Sequence, residues 1–404
     1  VHSLVALACC GALFAFGVSR WPAEERQVAM YCWYAHAASA YAIMVVYVFY
    51  YGWGDMLHYF YYGRALAAYV EYDLLGHLPQ LFDVLLQRES DIPMAMGGLG
   101  TSTGSMVAVG GIVSLLTSSG WAGSVIVSTL SAGGQACLWL GVRELVPPER
   151  QKHALWSVMM VPSVVFWSSS LLKEAFGLMG IGVAILGAVT LKKNVKSIRG
   201  ILLLVLGVYV VGLFKSYILF PLTLSLGVYV YWSRAVSRGG VTLRPVVFVA
   251  GAGITIASVA LLGLLFPRYS VENVAESIEQ QQSASLTTDG GSDFREVSED
   301  QAPRGAAGLV ADAPFTISTA LLRPFLFEST SPTMLVSAVE MTAILYFIVM
   351  AFVRNSWIEL LRWLWRSPDI IAAVAFVLLF SSAVGLATTN LGTLSHYRLP
   401  MMPF

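Results

Sequence analysis

Asp55, His58 and Tyr59 follow directly on a long apolar run that ends at Tyr51. They set a carboxylate, an imidazole and a phenol where a membrane helix meets water. In a helix, residues three and four apart share a face, so these three side chains stand together. A carboxylate in that place can take a proton from an acceptor hydroxyl. His58 can orient it, share the base role or donate to a phosphate. The plainer reading is a Gly-Asp turn in which Asp55 caps a helix.

A second group runs from Pro162 to Glu174. Pro162 interrupts one helix, Ser168, Ser169 and Ser170 are placed to cap the next, and Lys173 and Glu174 fall in its first turn. A helix N-terminus with hydroxyls and an ammonium suits an anion such as phosphate or pyrophosphate. The plainer reading is a hairpin whose Lys173 snorkels to the interface. Lys215, in Phe214-Lys215-Ser216-Tyr217, and Arg323, in Arg323-Pro324-Phe325-Leu326-Phe327-Glu328, each set a cation beside aromatic residues. Alone, either reads as an interface anchor; together with Lys173 they form a candidate anion cluster. A fourth group carries His396 and Arg398 in a polar turn before a proline-broken stretch. It stops where another span is expected, which reads as a truncation. Glu340 lies within an apolar run, where an ionisable group is a functional hypothesis by default.

The elements that hold these residues must be membrane helices. The chain is 57% hydrophobic and 12% charged over 404 residues, with mean hydropathy +0.70. A soluble chain is roughly a quarter charged. The expected fold is an all-α polytopic transmembrane helix bundle, residues 1–404 forming one transmembrane domain. Zero net charge argues against a nucleic-acid partner. Cys9, Cys10, Cys32 and Cys137 sit in apolar runs and read as small core residues. No two of the six histidines form a metal-ligand pair, and no Gly-rich phosphate loop, HExxH, CxxC or GxSxG is present. No metal is demanded, although Asp55 with other acids offers donors for a divalent ion.

Apolar runs of spanning length are expected over 2–19, 29–51, 104–118, 121–142, 154–168, 172–190, 200–214, 217–233, 245–266, 333–353 and 370–388. That makes about 10–12 spans, some short or broken. The first run lacks a basic leader and reads as a span rather than a signal peptide. Arg20 and Arg26, Arg143 to Lys152, Lys192 to Arg199, Arg234 to Arg244, and Arg354 to Arg366 lie in short basic loops that read as cytoplasmic. The long loops 52–103 and 267–332 are then extracytoplasmic. That assignment requires 104–118 to dip into the membrane and return. Within 52–103, Tyr61, Tyr62, Leu66, Tyr69 and Val70, then Leu78, Leu81, Leu85 and Leu86, follow helical spacing and read as interfacial helices. Residues 275–308 read as a flexible loop.

The segment Gly54-Asp55 followed by Tyr59 resembles the first extracytoplasmic loop of polytopic glycosyltransferases of the GT-C superfamily and of related exopolysaccharide repeat-unit polymerases. Pro162-Ser163, Phe166-Trp167-Ser168-Ser169 and Lys173-Glu174 are similar to a Pro-Ser-x-x-Phe-Trp-Ser-Ser-x-x-x-Lys-Asp/Glu element in membrane proteins of polysaccharide gene clusters. Arg323-Pro324 with Glu328, and Arg398-Leu399-Pro400 with Pro403-Phe404, resemble two further elements of that group, in the same order. The resemblance implies a polyprenyl-phosphate- or pyrophosphate-linked sugar as donor. It implies a multi-pass protein of the bacterial inner membrane, with its active site facing the periplasm or cell exterior. Asp55 matches the presumed base, and His58 stands where many relatives carry a second carboxylate nearby. Tyr59, Lys173, Glu174, Lys215, Arg323, Glu328, His396 and Arg398 are the implied substrate-binding residues. Membrane lipids, a lipid-linked glycan and other membrane proteins of a polysaccharide export system are the implied partners.

Two other classes compete with a transferase or polymerase. A lipid-linked glycan transporter uses a cationic cavity with no base, and usually shows internal repeats; none is visible. A non-catalytic subunit of a larger complex keeps the fold without needing Asp55.

Overall fold

The computed structural model describes residues 2–92, 98–237, 305–388 and 390–404. The expected span 245–266 and nearly all of the loop 275–308 lie outside the described residues. Within them every regular element is a helix, with no strand. Helices are the open-chain way to satisfy backbone groups in lipid. Six apolar stretches are long enough to cross a membrane: Ala23–Tyr51, Gly120–Arg143, Lys173–Lys193, Ile198–Ser233, Pro332–Arg354 and Pro368–Gly385. The chain is therefore a helical, membrane-embedded protein. The described residues hold fewer such stretches than the expected 10–12. Residues 2–18 and 102–116 are apolar but short, and the run expected over 154–168 is broken.

The chain divides into two compact units, the first Val1–Ser216 and the second Tyr217–Met402. The first contains α1 (His2–Val18), α2 (Ala23–Val45), α3 (Asp55–Tyr72), α4 (Leu74–Leu85), α5 (Ser102–Leu116), α6 (Gly120–Arg143), α7 (Pro148–Met159), α8 (Pro162–Trp167), α9 (Lys173–Lys193) and α10 (Ile198–Lys215). Ion pairs fix which ends lie together. Arg143 reaches Glu25 at 3.0 Å, Lys152 reaches Glu24 at 3.3 Å and Lys193 reaches Glu144 at 2.7 Å. The start of α2, the end of α6, the start of α7 and the end of α9 thus share one basic end. The opposite end gathers the starts of α5 and α9 and the end of α10, because Lys173 bonds Thr103 and Lys215 bonds Glu174.

Two consequences follow for the path of the chain. Helix α5 starts beside Lys173, and the turn after it leads to Gly120, which lies against Met44 and Phe60. Both its ends therefore sit toward the end opposite the basic loops, so α5 does not run from one end of the unit to the other. Helices α7 and α8 together make one broken crossing, begun at Pro148 rather than at 154. Pro162 causes the break, since it has no N–H and disfavours a helical residue before it.

Small residues let these helices touch. A Cβ added to Gly182 of α9 would overlap the Gly134 carbonyl of α6, and one on Gly63 of α3 would overlap the α5 backbone at Gly110. Close backbone approach of this kind drives association where lipid is as apolar as leucine. The buried face of α3 is Met56, Tyr59, Gly63, Leu66, Ala67 and Val70. Of the residues at helical spacing, Leu66 and Val70 are buried and Tyr61 is exposed. Helix α4 buries Leu81 and Val84 and exposes Leu74, Leu75 and Phe82.

The second unit contains α11 (Leu219–Ser237), α12 (Gly305–Leu322), α13 (Pro332–Arg354), α14 (Trp357–Arg366), α15 (Pro368–Ala387) and α16 (Leu391–Tyr397). Helix α15 packs between α11 and α12. Helix α13 starts at a Ser331 cap followed by Pro332, and buries only Met334, Ser337, Ala338 and Met341. Its Val336, Val339, Phe347 and Val353 are exposed, as a lipid-facing helix requires. The closing segment forms α16 and a 3-10 turn, Leu399–Met401.

Candidate functional site

The site is built where α2 gives way to α3. Helix α2 runs into a π-helical turn, Val46–Tyr51, and then Gly52 and Gly54 at φ of 72° and 137° reverse the chain. π-turns inside helices concentrate at functional sites. Gly54 serves a second purpose, because a Cβ there would meet the Tyr47 ring at 2.8 Å. Asp55 then opens α3 as its first residue, and the flanking cap is Gly54, with no side-chain cap bond. The Gly-Asp reading as a carboxylate cap is thus replaced by an exposed carboxylate in the first turn.

His58 and Asp55 share that turn, but no hydrogen bond joins them among the described residues. The His58 ring lies 4.6 Å from Tyr62 and 6.3 Å from Trp53, in an aromatic nest. Its Nε2 is buried and has no hydrogen-bond partner. Tyr59 is buried at 1% exposure, in the face that packs on α5.

Lys173 opens α9 and donates to Thr103 Oγ1 at 3.1 Å. Its ammonium is within electrostatic reach of Asp55, Glu174 and Lys215. Lys215, at the end of α10, donates to Glu174 Oε1 at 2.7 Å, with both side chains 5% exposed or less. Such a pair persists because each charge offsets the desolvation of the other. One end of the first unit thus carries Asp55, Lys173, Glu174 and Lys215 together. Tyr47 belongs with them: its buried phenol is electrostatically coupled to Asp55, Glu174 and Tyr51. Sequence reasoning missed Tyr47 and Thr103. The available signal was the pair Gly52 and Gly54 right after an aromatic run.

The three serines do not cap α9. Its N-cap is Leu172, with no side-chain bond. Ser168 instead donates to Val164 O at 2.6 Å, and Ser170 lies 2.9 Å from Ser124 Oγ. Ser169 lies 2.9 Å from Nδ1 of His36, a residue that drew no functional expectation. The Gln135 amide donates to Val158 O, a carbonyl at the α7 break, at 3.1 Å. Its oxygen therefore faces inward and accepts from His36 Nε2 at 2.6 Å and from the Cys32 thiol at 3.2 Å. The protonated nitrogen facing that oxygen is therefore His36 Nε2. This chain ties α2 and α6 to the broken crossing that delivers Lys173.

The remaining expected residues lie in the second unit. Glu328 closes the Arg323–Glu328 turn on itself: Arg323 Nε donates to Glu328 Oε1 at 2.9 Å, and the Phe325 N–H donates to Oε2 at 2.8 Å. Arg398 is fully buried, donates to the Arg323 carbonyl and to Ser337 Oγ, and faces Glu340 electrostatically. His396 is half-buried with its ring edge-on to Tyr397 at 5.2 Å. Arg323, Glu328, Glu340 and Arg398 are thus brought together. Among the described residues no three His, Cys, Asp or Glu side chains converge as metal ligands.

Burial alone would raise the Glu328 carboxyl, but the Arg323 hydrogen bond, the Phe325 N–H and the Arg323 charge hold it below the usual value. A depressed carboxyl stabilises the fold above its unfolded value, and that stabilisation is lost as pH falls through the folded one. Acidification below the ordinary glutamate range is therefore expected to loosen residues 323–328. Hydrogen exchange of those amides checks this; protection that is flat with pH, after correction for the intrinsic rate, would count against it.

No family model, curated protein or solved structure matches this chain.

Proposed function

We propose that this chain is a membrane glycosyl-transferring enzyme, taking a sugar from a polyprenyl-phosphate- or pyrophosphate-linked donor to an acceptor hydroxyl. The observation that carries the reading is the exposed Asp55 carboxylate standing within electrostatic reach of the Lys173 ammonium at one end of a membrane helix unit. Asp55 takes the acceptor proton as the hydroxyl oxygen attacks the anomeric carbon. Lys173 binds the phosphate and stabilises it as it leaves with the bond electrons. Glu174 and Lys215 neutralise one another, which leaves Lys173 as the cation for the donor. The end that holds Asp55 is opposite the basic loops, so by the positive-inside rule it faces the extracytoplasmic side. In a bacterium that is the outer face of the inner membrane.

The test uses the full chain in nanodiscs with a polyprenyl-pyrophosphate-linked oligosaccharide. D55N is expected to keep donor binding and to lose about 10²–10⁴-fold in transfer, the range for a removed general base. K173Q is expected to lose donor binding itself. Normal transfer by D55N would sink the reading. Retained turnover of lipid across the bilayer by D55N, with loss in K173Q, would point to a transporter.

A further inference from the structure

Helix α14 was expected only as part of a short basic loop, Arg354 to Arg366. It is a ten-residue helix, Trp357–Arg366, closed by a box in which Ser356 caps it and Glu359 bonds back to the Ser356 N–H at 3.2 Å. At 1.5 Å per residue it is about 15 Å long, too short to cross a bilayer. None of its residues is buried.

Its faces are divided. At 100° per residue, Trp357, Ile358, Leu361, Leu364 and Trp365 fall on one side with Leu360 at its edge, while Glu359, Arg362 and Arg366 fall on the other, where Trp363 flanks them. Trp357, Ile358, Leu361 and Trp365 are all about half exposed or more. An apolar face of that size in water is unfavourable, yet it is contiguous with two helices of membrane length. Helix α13 enters it at Arg354, and α15 leaves it at Pro368. The end of α14 is pinned by Trp232, whose Nε1 donates to Trp365 O at 2.8 Å while the two rings meet edge-on at 4.7 Å. The helix is thus held at the level where the flanking helices leave the apolar phase.

Charge selects the occupant. Arg354, Arg362 and Arg366 are exposed. The neighbouring carboxylates are Glu359, committed to the α14 cap, and Asp369, in the first turn of α15. We infer that α14 is an in-plane membrane-surface helix whose arginines form a binding site for anionic phospholipid headgroups. Tryptophans at the headgroup level and arginines facing anionic lipid are the physical requirements for such a site. The assignment is independent of the proposed transfer chemistry, since it uses none of those residues.

The experiment places the full chain in nanodiscs of phosphatidylcholine alone or mixed with phosphatidylglycerol. It reads hydrogen exchange of α14 and the lipids retained in native mass spectrometry. The expected result is slower exchange of 357–366 in the anionic bilayer and selective retention of phosphatidylglycerol. Each arginine near an anionic surface contributes about fivefold in affinity. The triple variant R354Q/R362Q/R366Q should therefore lose more than about tenfold of that preference. A W357A/W365A variant should exchange faster in both bilayers, which separates apolar insertion from charge. Equal protection of α14 in both bilayers, or unchanged lipid retention in the triple variant, would overturn the site. Protection only when a second protein co-purifies would overturn it too, assigning the face to a protein partner.

Discussion

Replacing Lys215 by methionine is expected to destabilise the first unit by about 3–5 kcal/mol, the range for breaking a buried ion pair from one side. The ammonium donates to Glu174 Oε1 at 2.7 Å, and the two side chains are 3% and 5% exposed. Methionine fills much of the lysine volume, so the loss is electrostatic rather than a cavity effect. Glu174 then pulls harder on Lys173, which is already within its electrostatic reach. That draws Lys173 away from Asp55, and donor affinity in whatever protein remains folded should fall as well. The double variant K215M/E174L removes both charges and should recover most of the stability, because an apolar pair of similar size is often as good as a buried ion pair. Thermal denaturation of the wild type and both variants in one detergent checks the stability changes, and donor binding checks the affinity. A K215M protein that melts with the wild type would mean that the pair is hydrated and contributes little.

Gln135→Leu is expected to be about as damaging, through a different mechanism. The Gln135 amide joins Val158 O, His36 Nε2 and the Cys32 thiol, in a region where all of these residues are buried. Leucine keeps the bulk and strands three polar groups. Each buried group left unsatisfied costs about 1–3 kcal/mol. The carbonyl of Val158 matters most, since it lies where Pro162 ends the helical ladder and no backbone donor replaces the lost one. A Gln135→Glu variant retains an acceptor for His36 but not the donor for Val158, so it should fall between the two. The readout is the folded fraction after extraction, together with hydrogen exchange across 158–172. Loss confined to stability, with donor affinity intact, would show that the network is separable from the site. Exchange unchanged in that segment would remove the proposed brace altogether.

These predictions rest on features of unequal visibility in the sequence. The membrane class was legible at once, because a chain with so few charges has no other way to cover its surface. The long runs became α2, α6, α9, α13 and α15 with boundaries shifted by a few residues, since length and hydropathy fix a membrane helix almost alone. The basic loops were legible too, and in the first unit ion pairs gather three of them at one end. Arg354 to Arg366 read as a loop for a plain reason. Its four charges and three tryptophans interrupt the apolar run, and only the 3.6-residue period sorts most of them into two faces.

The site was partly legible in the same way. Asp55, Lys173, Glu174 and Lys215 announce themselves as charges at the ends of apolar runs. Their convergence is tertiary, because residues 55, 173 and 215 are joined by the packing of α9 on α10 and of α3 on α5. Arg323 and Glu328 were identified as a pair of opposite charges, but not as a closed turn braced by Arg398 from 75 residues away. His36 and Gln135 were silent, each a single polar group in an apolar or aromatic run. Composition and spacing thus established that this is a helical membrane protein and which charged groups lie at its helix ends. Which of those groups meet, which are neutralised by a partner, and which buried polar residues hold the broken crossing were decided by tertiary packing alone. The reason is physical: hydropathy is a property of each segment, whereas a hydrogen bond or an ion pair needs two segments brought within about 3 Å.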